Sequence, residues 1–116
     1  MNSKISDIKR ELLEFRRQRD WKQFHDPKNL AEAISIEAGE LLEHFLWKKT
    51  DDPSIYDKQI KDKVSEELAD LFIFITYLCD AYQIDILEEV KNKIEINEKK
   101  YPVEKARSKS LKYTDL

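Results

Sequence analysis

Two acidic motifs, Glu37-Ala38-Gly39-Glu40 and Glu67-Leu68-Ala69-Asp70, constrain this chain more than any other feature. Residues three apart lie on one face of an α-helix, so each motif presents two carboxylates side by side. Both motifs are set in apolar sequence, with Leu30, Ala31, Ile34, Leu41, Leu42 and Phe45 around the first and Leu68, Leu71, Phe72 and Ile75 around the second. Four carboxylates converging between packed helices repel one another and favour protonation unless hard cations sit among them. A magnesium site is therefore the leading expectation. Gly39, the only glycine, costs about 1 kcal/mol relative to alanine inside a helix, which suggests a close helix neighbour or a ligand there.

One glycine and three prolines in 116 residues, 39% of them charged, leave few turns and point to an all-α bundle. The length accommodates one small domain, residues 1–116. Net charge is only −3, with basic and acidic residues interleaved, so no footprint for a nucleic-acid polymer appears while a nucleotide-sized ligand is allowed. The longest apolar run, Leu71 to Ile75, is far short of the ~20 residues of a membrane span. Met1-Asn2-Ser3-Lys4-Ile5 has no signal-peptide character. Cys79 is the sole cysteine, which excludes an internal disulfide, fits packing and suggests a cytoplasmic setting.

Apolar positions at Ile5, Ile8, Leu12 and Phe15 predict a first helix from Ser3 to Arg19. Asp26-Pro27 or Asn29 opens a second helix running to Trp47, and Thr50-Asp51-Asp52-Pro53 makes a polar break. A third helix begins between Ser54 and Ile60 and continues to Tyr82. Asp85 and Glu88, spaced as in a capping box, open a fourth from Ile86 to Lys100, which Pro102 stops. Residues 102–116 form an extended basic tail. The third helix is apolar nearly all round from Leu71 to Cys79, and such a helix needs covering on every side. A chain this short has few neighbours to do so, and a homodimer or homotetramer is expected to complete the bundle.

An all-carboxylate set selects Mg²⁺ or Mn²⁺ over zinc, iron or copper. Di-iron bundles carry Glu-x-x-His steps, whereas His25 and His44 are preceded three back by Lys22 and Leu41. Magnesium used as a clamp on phosphates fits better. Lys93, Asn97, Lys100 and Tyr101 fall along one side of the fourth helix, where lysine neutralises phosphate and the amide meets a sugar or base. Trp21 and Trp47 stand at helix ends where an indole can stack on a nucleobase. His25 can meet a base edge. His44, one turn beyond Glu40, has two readings, a reach into the metal shell and a place on the helix surface, of which the second is favoured. For each, a plain structural role is the competing explanation: a solvated lysine face, rim packing of the indoles, or an intersubunit salt-bridge network joining the carboxylates to Arg16, Arg17 or lysines.

The ordered set Arg19-Asp20-Trp21, Gln23-Phe24-His25, Pro27, Asn29-Leu30, Gly39-Glu40-Leu41, Phe45, Trp47-Lys48, Asn97, Tyr101-Pro102 and Lys112-Tyr113-Thr114 surrounds the acidic motifs. It resembles the MazG-type nucleoside triphosphate pyrophosphohydrolases of the all-α NTP pyrophosphatase superfamily, in their dCTP pyrophosphatase branch. The resemblance implies a four-helix bundle of MazG type and hydrolysis of a deoxynucleoside triphosphate, dCTP or a modified dCTP, to monophosphate and pyrophosphate. It implies that Glu37, Glu40, Glu67 and Asp70 hold Mg²⁺, and that one of these carboxylates or the metal itself activates water. It also implies that Lys93, Asn97 and Tyr101 contact phosphate and sugar, and that Trp21, His25 and Trp47 form the base pocket. One position departs: the broader motif has a glutamate where this chain has Ile36. The alternatives are a pyrophosphohydrolase for another nucleotide and a non-catalytic helical interaction module that keeps the fold.

Overall fold

The computed structural model describes residues 4–116, so the predicted start at Ser3 lies outside the described residues. Five α-helices follow in order, α1 Ile5–Gln18, α2 Pro27–Glu43, α3 Lys58–Tyr82, α4 Ile86–Lys100 and α5 Val103–Ala106, with short 3₁₀ turns at Lys22–Phe24, Pro53–Tyr56 and Tyr113–Asp115. They fall into two compact units, one ending at Gln83 and one running from Ile84 to Leu116.

In the first unit α2 packs along α3, and α1 and the Pro53–Tyr56 turn rest on α3. Leu30 and Tyr77 form the fully buried centre. The Tyr77 hydroxyl donates to the Leu12 carbonyl at 3.0 Å, tying α1 to α3. Beside it Arg16, only 5% exposed, donates to Asp80 at 2.7 Å with its guanidinium 4.9 Å from the Tyr77 ring centroid. A buried cation needs such a partner, because the cost of removing it from water is large. The amphipathic stripe of α1 thus ends in an ion pair that α3 completes.

Helix α2 opens as expected: Asp26 caps it by accepting from the Asn29 amide at 2.8 Å, and Pro27 takes the first helical position, where its missing N–H is not needed. Its end differs from expectation. The helix stops at Glu43 and not at Trp47. The chain tightens into i+3 turns, Phe45 N–H to Leu42 and Leu46 N–H to Glu43, and Trp47 adopts the left-handed region with φ 64°. Lys48 Nζ donates to Ser54 Oγ at 2.9 Å, pinning the loop that this turn begins. Among the described residues, nothing lies within 4 Å of where a Cβ on Gly39 would stand.

Helix α3 ends at Tyr82 with Gln83 at φ 55° in the left-handed position that closes many helices. The second unit then begins with Asp85, whose Oδ1 accepts from the amides of Leu87 and Glu88. Lys99 and Lys100 sit in the last turn of α4, where cations meet the negative end of the helix dipole. Beyond it lie α5 and the Tyr113–Asp115 turn, with the Tyr101 and Tyr113 rings edge to face at 6.2 Å and Lys100 Nζ 4.7 Å from the Tyr113 centroid. Among the described residues no helix is long and apolar enough to cross a membrane.

Candidate metal centre

Helices α2 and α3 run antiparallel where they pack, so Glu37 and His44 of α2 and its C-terminal cap meet Asp70 and Glu67 of α3. Glu37, Glu67 and Asp70 each bring one carboxylate oxygen within 4.8 Å of the others. Glu40, one turn beyond Glu37, is not part of that trio but lies near enough to Glu37 to act on its ionisation.

The carboxyl of Glu37 is pushed up to about 7, first by burial and then by Glu67, Glu40 and Asp70. Like charges in a desolvated site favour a shared proton over a full set of anions. Glu67 moves the other way, lowered chiefly by His44, whose Nε2 lies 3.2 Å from Glu67 Oε1. Two oxygens, Glu37 Oε2 and Glu67 Oε2, are buried with no hydrogen-bond partner. Leaving a buried acceptor unpaired costs about 1–3 kcal/mol, more when it is charged. An all-oxygen donor set with two unsatisfied oxygens fits a hard divalent cation.

The arginines weighed as structural partners for these carboxylates are engaged elsewhere, Arg16 with Asp80 and Arg17 with Glu14. Of the two readings of His44, the favoured helix-surface one fails: the side chain touches Glu67, with exposures of 21% and 13% for the pair. The signal was present in the i, i+3, i+7 stripe Glu37, Glu40, His44. Ile36, at the departing position, is 62% exposed.

The expected base-pocket residues stand apart. His25 packs its ring on Tyr77, centroids 4.9 Å apart, and its ionisation is depressed by burial and then by Arg16. It lines a cavity of about 280 Å³ with Arg16, Lys22, Gln23 and Asp80. Asp80 is ten residues beyond Asp70 on α3, about 15 Å along the axis. Trp21, 44% exposed, lies edge-on to Phe15 with centroids 5.8 Å apart. Trp47 is 93% exposed and follows the other end of α2, whose 17 residues span about 25 Å. One copy of the chain therefore does not bring Trp47 together with Trp21 and His25. In the second unit, Lys93 and Asn97 are exposed on α4, and Tyr101 caps its end with its amide donating to the Asn97 carbonyl at 2.8 Å.

The profile of the MazG-like family matches residues 33–116. The dCTP pyrophosphatase 1 of Homo sapiens is 40% identical over 114 residues, covering 97% of this chain and 67% of that protein. Its counterpart in Bos taurus is 38% identical, covering 97% and 68%. The crystal structure of a pyrophosphatase from Archaeoglobus fulgidus superposes with a TM-score of 0.81 at 43% identity, covering 88% of this chain and 95% of that one. The profile match takes in both acidic motifs, and the relatives extend the likeness through α1 to nearly the whole sequence: the chain belongs to the MazG-like family.

Proposed function

We propose that this chain is a divalent-metal-dependent nucleoside triphosphate pyrophosphohydrolase that converts a deoxynucleoside triphosphate, with dCTP or a modified dCTP favoured, to the monophosphate and pyrophosphate. The observation that carries it is the Glu37, Glu67 and Asp70 cluster with its two unpartnered buried oxygens; the dCTP pyrophosphatases among its relatives supply the substrate class. Mg²⁺ is the expected ion, and Mn²⁺ suits the same ligands.

When bound, the cation neutralises phosphate oxygens and polarises the reacting centre. The chain does the rest. Glu37, Glu67 and Asp70 would hold the ion, with Glu40 beside them, and one of these carboxylates would take the proton of the water that attacks phosphorus as the α–β anhydride breaks. In the second unit Lys93, Asn97 and Tyr101 bind phosphate and sugar. Trp21, His25 and Trp47 read the base, and because Trp47 stands at the opposite end of α2 from the other two, the pocket draws on more than one copy of the chain. A homodimer or homotetramer also covers Leu42, Leu68, Phe72 and Ile75, which are 71%, 52%, 38% and 37% exposed in one copy. The two units work as one MazG-like domain, as the family match across both suggests. A free, half-buried Cys79 suits the reducing cytoplasm.

Asp70→Asn tests this. It removes one ligand charge at nearly constant shape, and pyrophosphate release should fall at least about 100-fold while helicity and subunit mass are kept. Unchanged turnover would remove the cluster from the reaction. Loss of the fold or the assembly, with no metal bound by the parent, would return the carboxylates to a structural role.

A further inference from the structure

His44 is the side chain that the proposed reaction has not used and that nonetheless touches the acidic cluster. It caps the C-terminus of α2, with Nε2 3.2 Å from Glu67 Oε1, and both side chains are mostly buried. An ionised carboxylate only accepts hydrogen bonds, so Nε2 carries the hydrogen and donates. The contact occupies Oε1. Glu67 Oε2 is the buried oxygen left without a partner, and Glu67 is one of the three residues whose oxygens converge. His44 itself is not in that group. Its place is behind a ligand, not among the ligands.

We propose that His44 is a positioning residue for the metal centre: by holding Glu67 Oε1 it turns Oε2 toward the ion as a single-oxygen ligand. This rests on the metal-dependent function proposed above. A carboxylate on a freely rotating side chain swings away from a cation or binds through both oxygens, and a fixed donor from the facing helix suppresses both. Outer-shell partners of this kind typically matter 10- to 100-fold in metal affinity. The pair also links the end of α2 to α3, so the turn from His44 to Trp47 is seated where Glu67 is held.

The test is Mn²⁺ and Mg²⁺ affinity of the full chain by calorimetry, with the metal dependence of turnover as a second readout. His44→Leu removes the donor and should weaken binding about 10- to 100-fold, with turnover recovered by excess metal. His44→Gln places an amide N–H where Nε2 stood and should return affinity to within about threefold of the parent. Parent-like binding by His44→Leu overturns the proposal while leaving the metal site standing. Binding by His44→Gln as weak as by His44→Leu overturns it too, as does a changed order of preference among Mg²⁺, Mn²⁺ and Zn²⁺ in His44→Gln, which would make His44 a ligand. Absence of metal binding by the parent overturns both this role and the proposed function. If His44→Leu fails to fold, the His44→Gln comparison alone decides.

Discussion

Metal binding should compete with a single proton. Without metal, Glu37 holds that proton up to about pH 7 because of burial and the carboxylates around it. A cation takes the ionised form, so affinity follows the ionised fraction, about 1/11 at pH 6 and 10/11 at pH 8. Apparent Mg²⁺ or Mn²⁺ affinity should therefore rise roughly tenfold between these values, or about 1.4 kcal/mol, and near pH 7 about half a proton should be released per ion. The stability of the metal-free fold should show the same group with opposite consequence. The folded carboxyl lies above its ordinary 4.5, so between pH 4.5 and 7 the folded chain binds more protons than the unfolded one, and stability falls as pH rises through that window. Calorimetric titrations in buffers of different ionisation enthalpy read the released proton, and urea melts with chelator read the stability. Glu37→Gln should flatten both dependences. Equal affinity at pH 6 and 8 in the parent, with no proton released, would refute the electrostatic account of the cluster.

Three further outcomes are expected. Asp80→Asn leaves the Arg16 guanidinium buried without its counterion and should cost about 3–5 kcal/mol, lowering the melting temperature by roughly 12–20 °C at fixed protein concentration; a loss under about 1 kcal/mol would make the pair energetically idle. Trp47→Gly suits the left-handed backbone at φ 64° and removes an indole that is 93% exposed, so the melting temperature should hold or rise, while loss of about 1–3 kcal/mol of base stacking lowers kcat/KM roughly 5- to 150-fold. Phe72→Glu places a charge on the exposed apolar stripe of α3 and should shift sedimentation to the single-chain species with helicity kept. Unchanged sedimentation would remove that stripe from the interface.

The elements were legible where their signals are local. Asp85 two and three residues before the amides it caps, Pro27 after Asp26 and the lysines ending α4 all act within a turn, and the corresponding boundaries follow from them. The end of α2 did not, because Leu41 to Trp47 keeps an apolar helical spacing while the turn is held by Lys48 reaching Ser54. The burial of Arg16 was hidden for the same reason: its partner Asp80 is 64 residues away, and nothing in Phe15-Arg16-Arg17 distinguishes the buried arginine from the exposed one beside it. In the metal centre, the i, i+3 spacing placed the carboxylates in pairs, and apolar flanks implied that the pairs face each other. The register of α2 against α3, which favours Glu37 over Glu40 for the trio and sets His44 on Glu67, comes from packing and has no marker in either helix alone. Gly39 shows the converse. Its singularity pointed to a close helix neighbour or a ligand, and among the described residues nothing lies within 4 Å of the side chain it lacks.

The most direct measurement is product analysis of dCTP and a panel of canonical and 5-substituted deoxynucleoside triphosphates, incubated with the full chain in Mg²⁺ and in chelator. Monophosphate and pyrophosphate formed in equal amounts, only with metal and fastest with dCTP or a modified dCTP, is the expected result. Orthophosphate release, turnover that survives chelation, or no turnover of any nucleotide would contradict it.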